Sequence, residues 1–209
     1  MAHREIVVLK GDITDELLHA YRTARRVACD IETSGLDWRH EKIGTFQLFA
    51  PDTKPAIVQL NEQVPQRIYD LLCDKRIQKV FHHAPFDMRF LSWHWKTPFR
   101  NVACTKVASK LLNPEAPNEQ HSLQALLENH LHITISKRRV RVSNWLAQDL
   151  SAAQISYAAI DVLHLLDLLD ALTAKLAKAG LDSLYDRCLE HLPTRVELDV
   201  RGYGDIYLY

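Results

Sequence analysis

Cysteine is scarce and unpatterned in this chain. Cys29, Cys73, Cys104 and Cys188 form no Cys-x-x-Cys pair, keep no even spacing and each lie in an apolar stretch. Zinc knuckles and a disulfide framework are thereby disfavoured, and a reducing compartment is expected. Long apolar runs are missing too: none reaches the roughly 18 residues that a membrane span needs. The opening MAHREIVVLKGD lacks the charged-then-apolar layout of a secretory signal, so the expected location is the cytoplasm. Neither sign of charge is in excess, with 26 Lys+Arg against 26 Asp+Glu. A protein coating long nucleic acid usually carries a basic surplus. The balance argues for a small footprint on any phosphate backbone, yet leaves room for an enzyme whose clustered acids offset local positive charge. Repeats and low-complexity linkers are also absent. The 209 residues are expected to form a single domain, 1–209, able to bury roughly 70% of its extended surface.

What is present is an α/β pattern. REIVVLKGDI reads as a short strand, and ITDELLHAYRTARR as a helix capped by Thr14 or Asp12. VACDIETSGL is a strand ending in a Thr-Ser-Gly turn. KIGTFQLFAPD and KPAIVQL form an antiparallel hairpin after it, joined at Pro-Asp. Residues 65–75 are helical, KVFHHAP is a further strand, and FDMRFLSWHW begins a helix. From about Cys104 the pattern turns helical, through CTKVASKLLN and HSLQALLENHL to a basic loop, KRRVR. One long segment then runs from Ser151, an N-cap, to Gly180, a C-cap, with a kink or break expected within it. A last short helix and the tail RGYGDIYLY follow. Strands first and helices later, with a mixed sheet, indicate one α/β domain.

Asp30 and Glu32 stand one residue apart at the end of the run Val27-Ala28-Cys29. Strand side chains alternate, so the two carboxylates share a face. Like charges at that spacing beside a core are costly unless a proton or a cation neutralises one. Hard oxygen donors suit Mg²⁺ or Mn²⁺; a solvated strand face is the plainer reading. Asp87 lies in the first turn of an apolar helix, where a cap or a dipole partner is the ordinary role. Tyr157 and Asp161 are four apart and share one helical face among Ile155, Ile160, Val162, Leu163 and Leu165. A surface pair and a poorly solvated carboxylate both fit that spacing.

Taken together, DIETSGL, FHHAPFDMRFL and YAAIDVLHL resemble the three motifs of the Asp-Glu-Asp-Asp exonuclease superfamily in its tyrosine branch. The stretch from His121 to Leu165, with Lys137 and Trp145 in place, is similar to the ribonuclease D family. Ribonuclease D carries helical accessory domains after its nuclease, whereas this chain ends soon after the third motif. CTKVASKLL and the ending HLPTRVELDVRGYGDIYLY look most like the nano-RNase C group. That group degrades very short oligonucleotides, dinucleotides above all, as ring-shaped homo-octamers.

The resemblance implies a ribonuclease H-like mixed sheet flanked by helices and a metal-dependent 3′-5′ exonuclease that releases nucleoside 5′-monophosphates. Two divalent cations, Mg²⁺ or Mn²⁺, are implied between Asp30, Glu32, Asp87 and Asp161, with Asp30 bridging. Tyr157 is expected to orient the attacking water. Thr33 and Gly35 belong to the first motif, and Leu36 is where relatives place a wedge against the terminal bases, although a leucine after a turn also packs. His82 and His83 are candidates for phosphate or base, with at least one of the pair expected to be structural. Lys137, heading the basic stretch to Arg141, is a phosphate candidate. Trp145 is expected to pack behind that loop, and Gln47 to face either the site or solvent. Short RNA or DNA is the expected partner. The rival readings are a trimmer of longer structured RNA and an inactive nucleic-acid-binding module. The three tyrosines of the tail suit a buried interface or docking on their own domain.

Overall fold

A computed structural model describes residues 5–135 and 139–208, leaving aside the side chains of Arg139 and Arg141. Among the described residues, six strands form one mixed sheet in the order β1-β4-β3-β2-β5-β6. The strands are β1 (Val7–Lys10), β2 (Arg26–Thr33), β3 (Ile43–Phe49), β4 (Ala56–Gln59), β5 (Gln78–Phe81) and β6 (Val102–Cys104). Only β3 runs against its neighbours; β1 pairs parallel with β4, and β5 with both β2 and β6. The hairpin expected after the first motif is present, turning at Ala50–Thr53, where the Thr53 N–H donates to the Ala50 carbonyl.

The two faces of β2 separate the layers. Val27, Cys29 and Ile31 point into a core with Phe46, Leu48 and Val58. Helices α1 (Asp15–Ala24), α2 (Gln66–Cys73), α3 (Ala84–Trp95) and α8 (Asp182–Arg201) cover that side. Toward the other face, Ala28, Phe49, Val80 and Ala103 pack with residues of α4 (Thr105–Leu112), α5 (Leu123–Leu131) and α7 (Leu165–Lys178). Helix α6 (Ala152–Leu163) lies over β2, β3 and β4, where Trp145 and Tyr157 meet Ile57.

Local chemistry fixes several element ends. Thr14 caps α1 by accepting from the Leu17 N–H. Asp12 instead accepts from the Arg67 and Ile68 N–H groups at 2.8 and 3.2 Å, supplying α2 with the cap that Pro65 cannot. Ser151 and Gln154 form a reciprocal capping box at α6. The segment expected as one long helix breaks at His164, because α6 follows the sheet and α7 follows α4 and α5.

Two expectations need correction. The last helix is not short: α8 runs for 20 residues and carries Pro193 within it, so Leu189 loses an intrahelical donor without the helix ending. Tyr185, Leu192 and Val196 on its buried side supply the stabilisation. Cys104, read as the start of the helical half, instead ends the edge strand β6, and α4 begins one residue later at Thr105. The Tyr185 hydroxyl holds the strand, donating to the Cys104 carbonyl at 3.1 Å. The tail stays exposed, with Tyr203, Ile206, Tyr207 and Leu208 open to solvent. No cysteine pair is bonded, and no helix is long and apolar enough to cross a membrane, among the described residues.

Candidate active site

β2 outruns its neighbour. β5 pairs with it only from Arg26 to Ala28, and the chain then turns through His82 and His83 into α3. The backbone of β2 beyond Ala28 therefore lacks a strand partner on that side, and the Ile31 N–H donates to Asp87 Oδ1 at 3.2 Å. His83 makes the turn in the left-handed region, φ 64°, and Pro85 sits in the first turn of α3, where its missing N–H costs nothing. By this route a helical aspartate arrives beside strand carboxylates 55 and 57 residues earlier in the chain.

On the opposite side, β3 pairs Gln47 with Asp30 and Thr45 with Glu32. Gln47 is fully buried and donates to the Thr45 hydroxyl at 2.5 Å, so it faces neither cavity nor solvent but lies under α6 beside the acids. Helix α6 contributes Tyr157 and Asp161, both buried. Trp145, expected behind the basic loop, packs behind Tyr157 with ring centres 5.9 Å apart, and its backbone carbonyl lies so close to β3 that a Cβ on Gly44 would sit 2.4 Å from it.

These elements enclose a cavity of about 480 Å³ lined by Asp30, Glu32, Thr33, Gly35, Leu36, His83, Asp87, Tyr157 and Asp161. All the expected site residues except Lys137 thus meet in one place, and Lys137 lies outside the described residues. Carboxylate oxygens of Asp30, Glu32 and Asp161 lie within 4.8 Å of one another. Asp87, fully enclosed, has its pKa raised well above the ordinary carboxylate range, by burial first and then by the charges of Asp30 and Asp161. Three carboxylates with hard oxygen donors at this separation, and Asp87 lining the same cavity, fit divalent cations of the Mg²⁺ or Mn²⁺ kind.

The cavity mouth is formed by the turn after β2. Thr33 donates its hydroxyl to the Gly35 carbonyl at 2.5 Å, and a Cβ on Gly35 would run into the Glu41 carboxylate, which Ser34 bonds. Leu36 projects from that turn, 81% exposed. Of the histidine pair, His82 is the structural one, bonded through Nδ1 to the Thr105 hydroxyl at 2.9 Å. His83 opens toward solvent, and desolvation together with Lys106, Arg89 and Lys110 lowers its pKa. His82 and Phe86 of the second motif also line the cavity, as do Val142 and Ser143, which were not singled out from the sequence. Val142 and Ser143 follow the basic stretch directly, and that adjacency was their only signal.

A mixed sheet with three ordered acidic motifs brought to one cavity is the arrangement of a nuclease, and the comparisons agree. The chain belongs to the 3′-5′ exonuclease family, whose model matches residues 6–177, and is an enzyme of that class. It is similar along nearly all its length to Brucella melitensis NrnC, at 32% identity, with 98% of each chain covered and a TM-score of 0.90. Structures of that protein include one with bound Mg²⁺ and one bound to pGG. Ribonuclease D of Musicola paradisiaca is 28% identical over 184 residues, 87% of this chain and 48% of that protein. The chain spans about half the length or less of the curated ribonuclease D relatives it matches. Escherichia coli RNase D, 21% identical with a TM-score of 0.76 over 93% of this chain and 50% of its own, shares the fold.

Proposed function

We propose that the enzyme removes nucleoside 5′-monophosphates from the 3′ end of short oligonucleotides, dinucleotides by preference. The observation that carries this reading is the cavity itself. Three carboxylates within 4.8 Å of one another form its floor, and its volume of about 480 Å³ lies in the range of small-ligand sites. Even charge balance and the likeness to a protein solved with pGG support a short substrate.

Asp30, Glu32, Asp87 and Asp161 would hold two divalent cations. Bound there, such ions lower the pKa of an attacking water and neutralise charge developing on the leaving 3′ oxygen. The chain's own groups supply position. The Tyr157 hydroxyl, one helical turn before Asp161, accepts or donates a hydrogen bond to the water and sets its line of attack. Asp87 is held by the Ile31 N–H in the lining of the same cavity. Leu36 lies against the terminal bases, Thr33 and Gly35 shape the turn that carries it, and His83, with Lys137 from the basic stretch, receives phosphate. We place this activity in the cytoplasm and treat residues 1–209 as one exonuclease domain. The exposed apolar tail supports a homo-oligomer, an octamer by resemblance. Light scattering that returns a 24.1 kDa particle overturns the assembly.

Trimming of longer RNA is the second reading, supported by the ribonuclease D relatives. A series of 5′-labelled RNA and DNA from two to twenty nucleotides, with Mg²⁺ or Mn²⁺ and with EDTA, separates the two. Fastest cleavage of the 2-mer is expected, with none in EDTA. Equal rates or a preference for the 20-mer removes the short-substrate reading, and cleavage of no length in either metal removes the exonuclease assignment to this cavity.

A further inference from the structure

The turn that carries Leu36 does not hold itself against the molecule. Its internal bonds close it into a loop: the Ser34 N–H donates to the Lys42 carbonyl at 2.9 Å, and the Lys42 N–H to the Ser34 hydroxyl at 3.0 Å. Helix α3 ties the closed loop to the body, beside an exposed Lys42–Glu62 ion pair at 3.7 Å. His94 bonds the Glu41 carbonyl through Nε2 at 2.9 Å. The Arg89 guanidinium, two residues after Asp87 and so on the opposite side of α3, lies over the Trp38 ring at 5.0 Å, and Arg39 lies over the same ring at 4.9 Å.

Arg89 is itself held from α8. Asp199, 9% exposed, pairs with Arg195 at 2.9 Å through one carboxylate oxygen, and its other oxygen forms an ion pair with Arg89 Nε at 3.1 Å that lacks the alignment of a hydrogen bond. The Asp199 backbone carbonyl also accepts from Arg39 at 3.5 Å. Aspartate, guanidinium and indole thus form one chain of contacts from the last turns of α8 to the loop whose tip is Leu36. A planar guanidinium can pair with a carboxylate and cover a ring at once, which an ammonium does less well.

We propose that Arg89, seated on Asp199, is a positioning residue that fixes Trp38 and so sets where Leu36 meets the bases of the substrate. The C-terminal helix thereby governs substrate affinity without touching substrate or metal. This rests on the reading of Leu36 given above. A merely structural contact between α3 and α8 would act on folding or on the acids of α3, whereas a positioning role acts on binding of a base-bearing substrate.

The test is steady-state kinetics on a 5′-phosphorylated dinucleotide, with thermal melting and Mn²⁺ calorimetry on each variant. Trp38→Ala and Arg89→Met are expected to raise KM about tenfold while kcat and Mn²⁺ affinity stay within about threefold. Arg89→Lys and Trp38→Phe, which keep a charge and a ring, recover part of the loss and keep the measurement possible should the larger changes prevent folding. Leu36→Ala raises KM, and adding Trp38→Ala to it brings no further increase. Wild-type protein that leaves the dinucleotide intact refutes the functional reading, and an unchanged KM in Leu36→Ala refutes the role of that leucine. If Leu36→Ala raises KM but Arg89→Met does not, or if the Leu36 and Trp38 effects multiply, the positioning role is overturned. A fall in kcat or Mn²⁺ affinity equal to the rise in KM overturns it as well.

Discussion

The Ile31 backbone N–H donates to Asp87 Oδ1 across 56 residues of sequence, at 3.2 Å. That bond anchors the second acidic motif to the first, and it is available only because β5 stops short of Ile31. The same geometry encloses Asp87 and sets its charge against Asp30 and Asp161, raising its pKa. In metal-free protein the sign is definite. Stability is fully present below the unfolded carboxyl pKa near 4 and is lost as pH rises through the elevated folded value, because the native state holds its proton longer.

Asp87→Asn removes the charge and keeps an oxygen for the Ile31 N–H. In EDTA at pH 7 to 8 the variant is expected to unfold at higher denaturant than wild type, by on the order of 1–3 kcal/mol. Its stability is also expected to vary less with pH. With saturating Mg²⁺ the advantage shrinks or reverses, since wild type gains more from binding, and dinucleotide cleavage falls at least about a hundredfold. Urea titrations with and without metal check this, and a variant less stable than wild type in EDTA contradicts the electrostatic account.

Tyr157→Phe separates orientation from metal holding. The ring stays packed on Trp145 at 5.9 Å, so only the hydroxyl is lost. Cleavage is expected to slow by about ten- to a hundredfold, near the lower end for loss of a positioned proton partner. Calorimetric Mn²⁺ affinity stays within twofold of wild type. Lost metal affinity would show that the tyrosine serves the ions and not the water.

Lys79 tests the fold away from the site. It is fully buried in β5 and donates from Nζ to the Asp74 carbonyl at 2.8 Å. Burial lowers its pKa to about 8 against the opposing pull of Cys29, Asp74 and Cys73. Between pH 8 and about 10.5 this lysine therefore binds more protons in the unfolded chain than in the native state, and its own contribution to stability rises with pH across that window. Lys79→Met is expected to flatten the rise and to stabilise the protein at pH 7 by on the order of 2 kcal/mol. Denaturant midpoints of wild type and Lys79→Met measured from pH 7 to 10.5 decide it, since the buried thiols of Cys29 and Cys104 titrate alike in both; an advantage of the variant that does not shrink as pH rises contradicts the sign.

Much of this was legible in the sequence, for reasons that differ by residue. Asp30 and Glu32 declare themselves because a strand alternates faces and an apolar run precedes them. Tyr157 and Asp161 share a helix face by spacing alone. Asp87 reads as an ordinary first-turn aspartate until the end of β5 is known, and only family likeness placed it with the others. Helix α8 exceeds the short helix expected because it continues through Pro193, where burial of Tyr185, Leu192 and Val196 outweighs one missing hydrogen bond. Strand β6 is three residues long and gains its identity from β5 and the Tyr185 hydroxyl. The Trp38–Arg89–Asp199 chain is invisible in sequence, since 51 and 110 residues separate its links.

Gly44 offers the sharpest packing test. Its place in β3 is set by the Trp145 carbonyl, which a Cβ would approach to 2.4 Å, with the Trp145 carbonyl carbon at 2.8 Å. The obstacle is backbone, so no side-chain rotation relieves it. Gly44→Ala must push the Trp145 segment off the sheet or bend β3, at a cost of about 1–3 kcal/mol in stability. Because Trp145 backs Tyr157, the shift also reaches the cavity. Gly44→Ala is expected to lower both the melting temperature and the dinucleotide kcat, whereas Gly180→Ala, with nothing within 4 Å of its Cβ, pays only the strain of φ 67° and leaves kcat unchanged. Melting curves and turnover on the two variants side by side check the pair. Equal turnover losses would mean that the Trp145 contact does not transmit to the tyrosine.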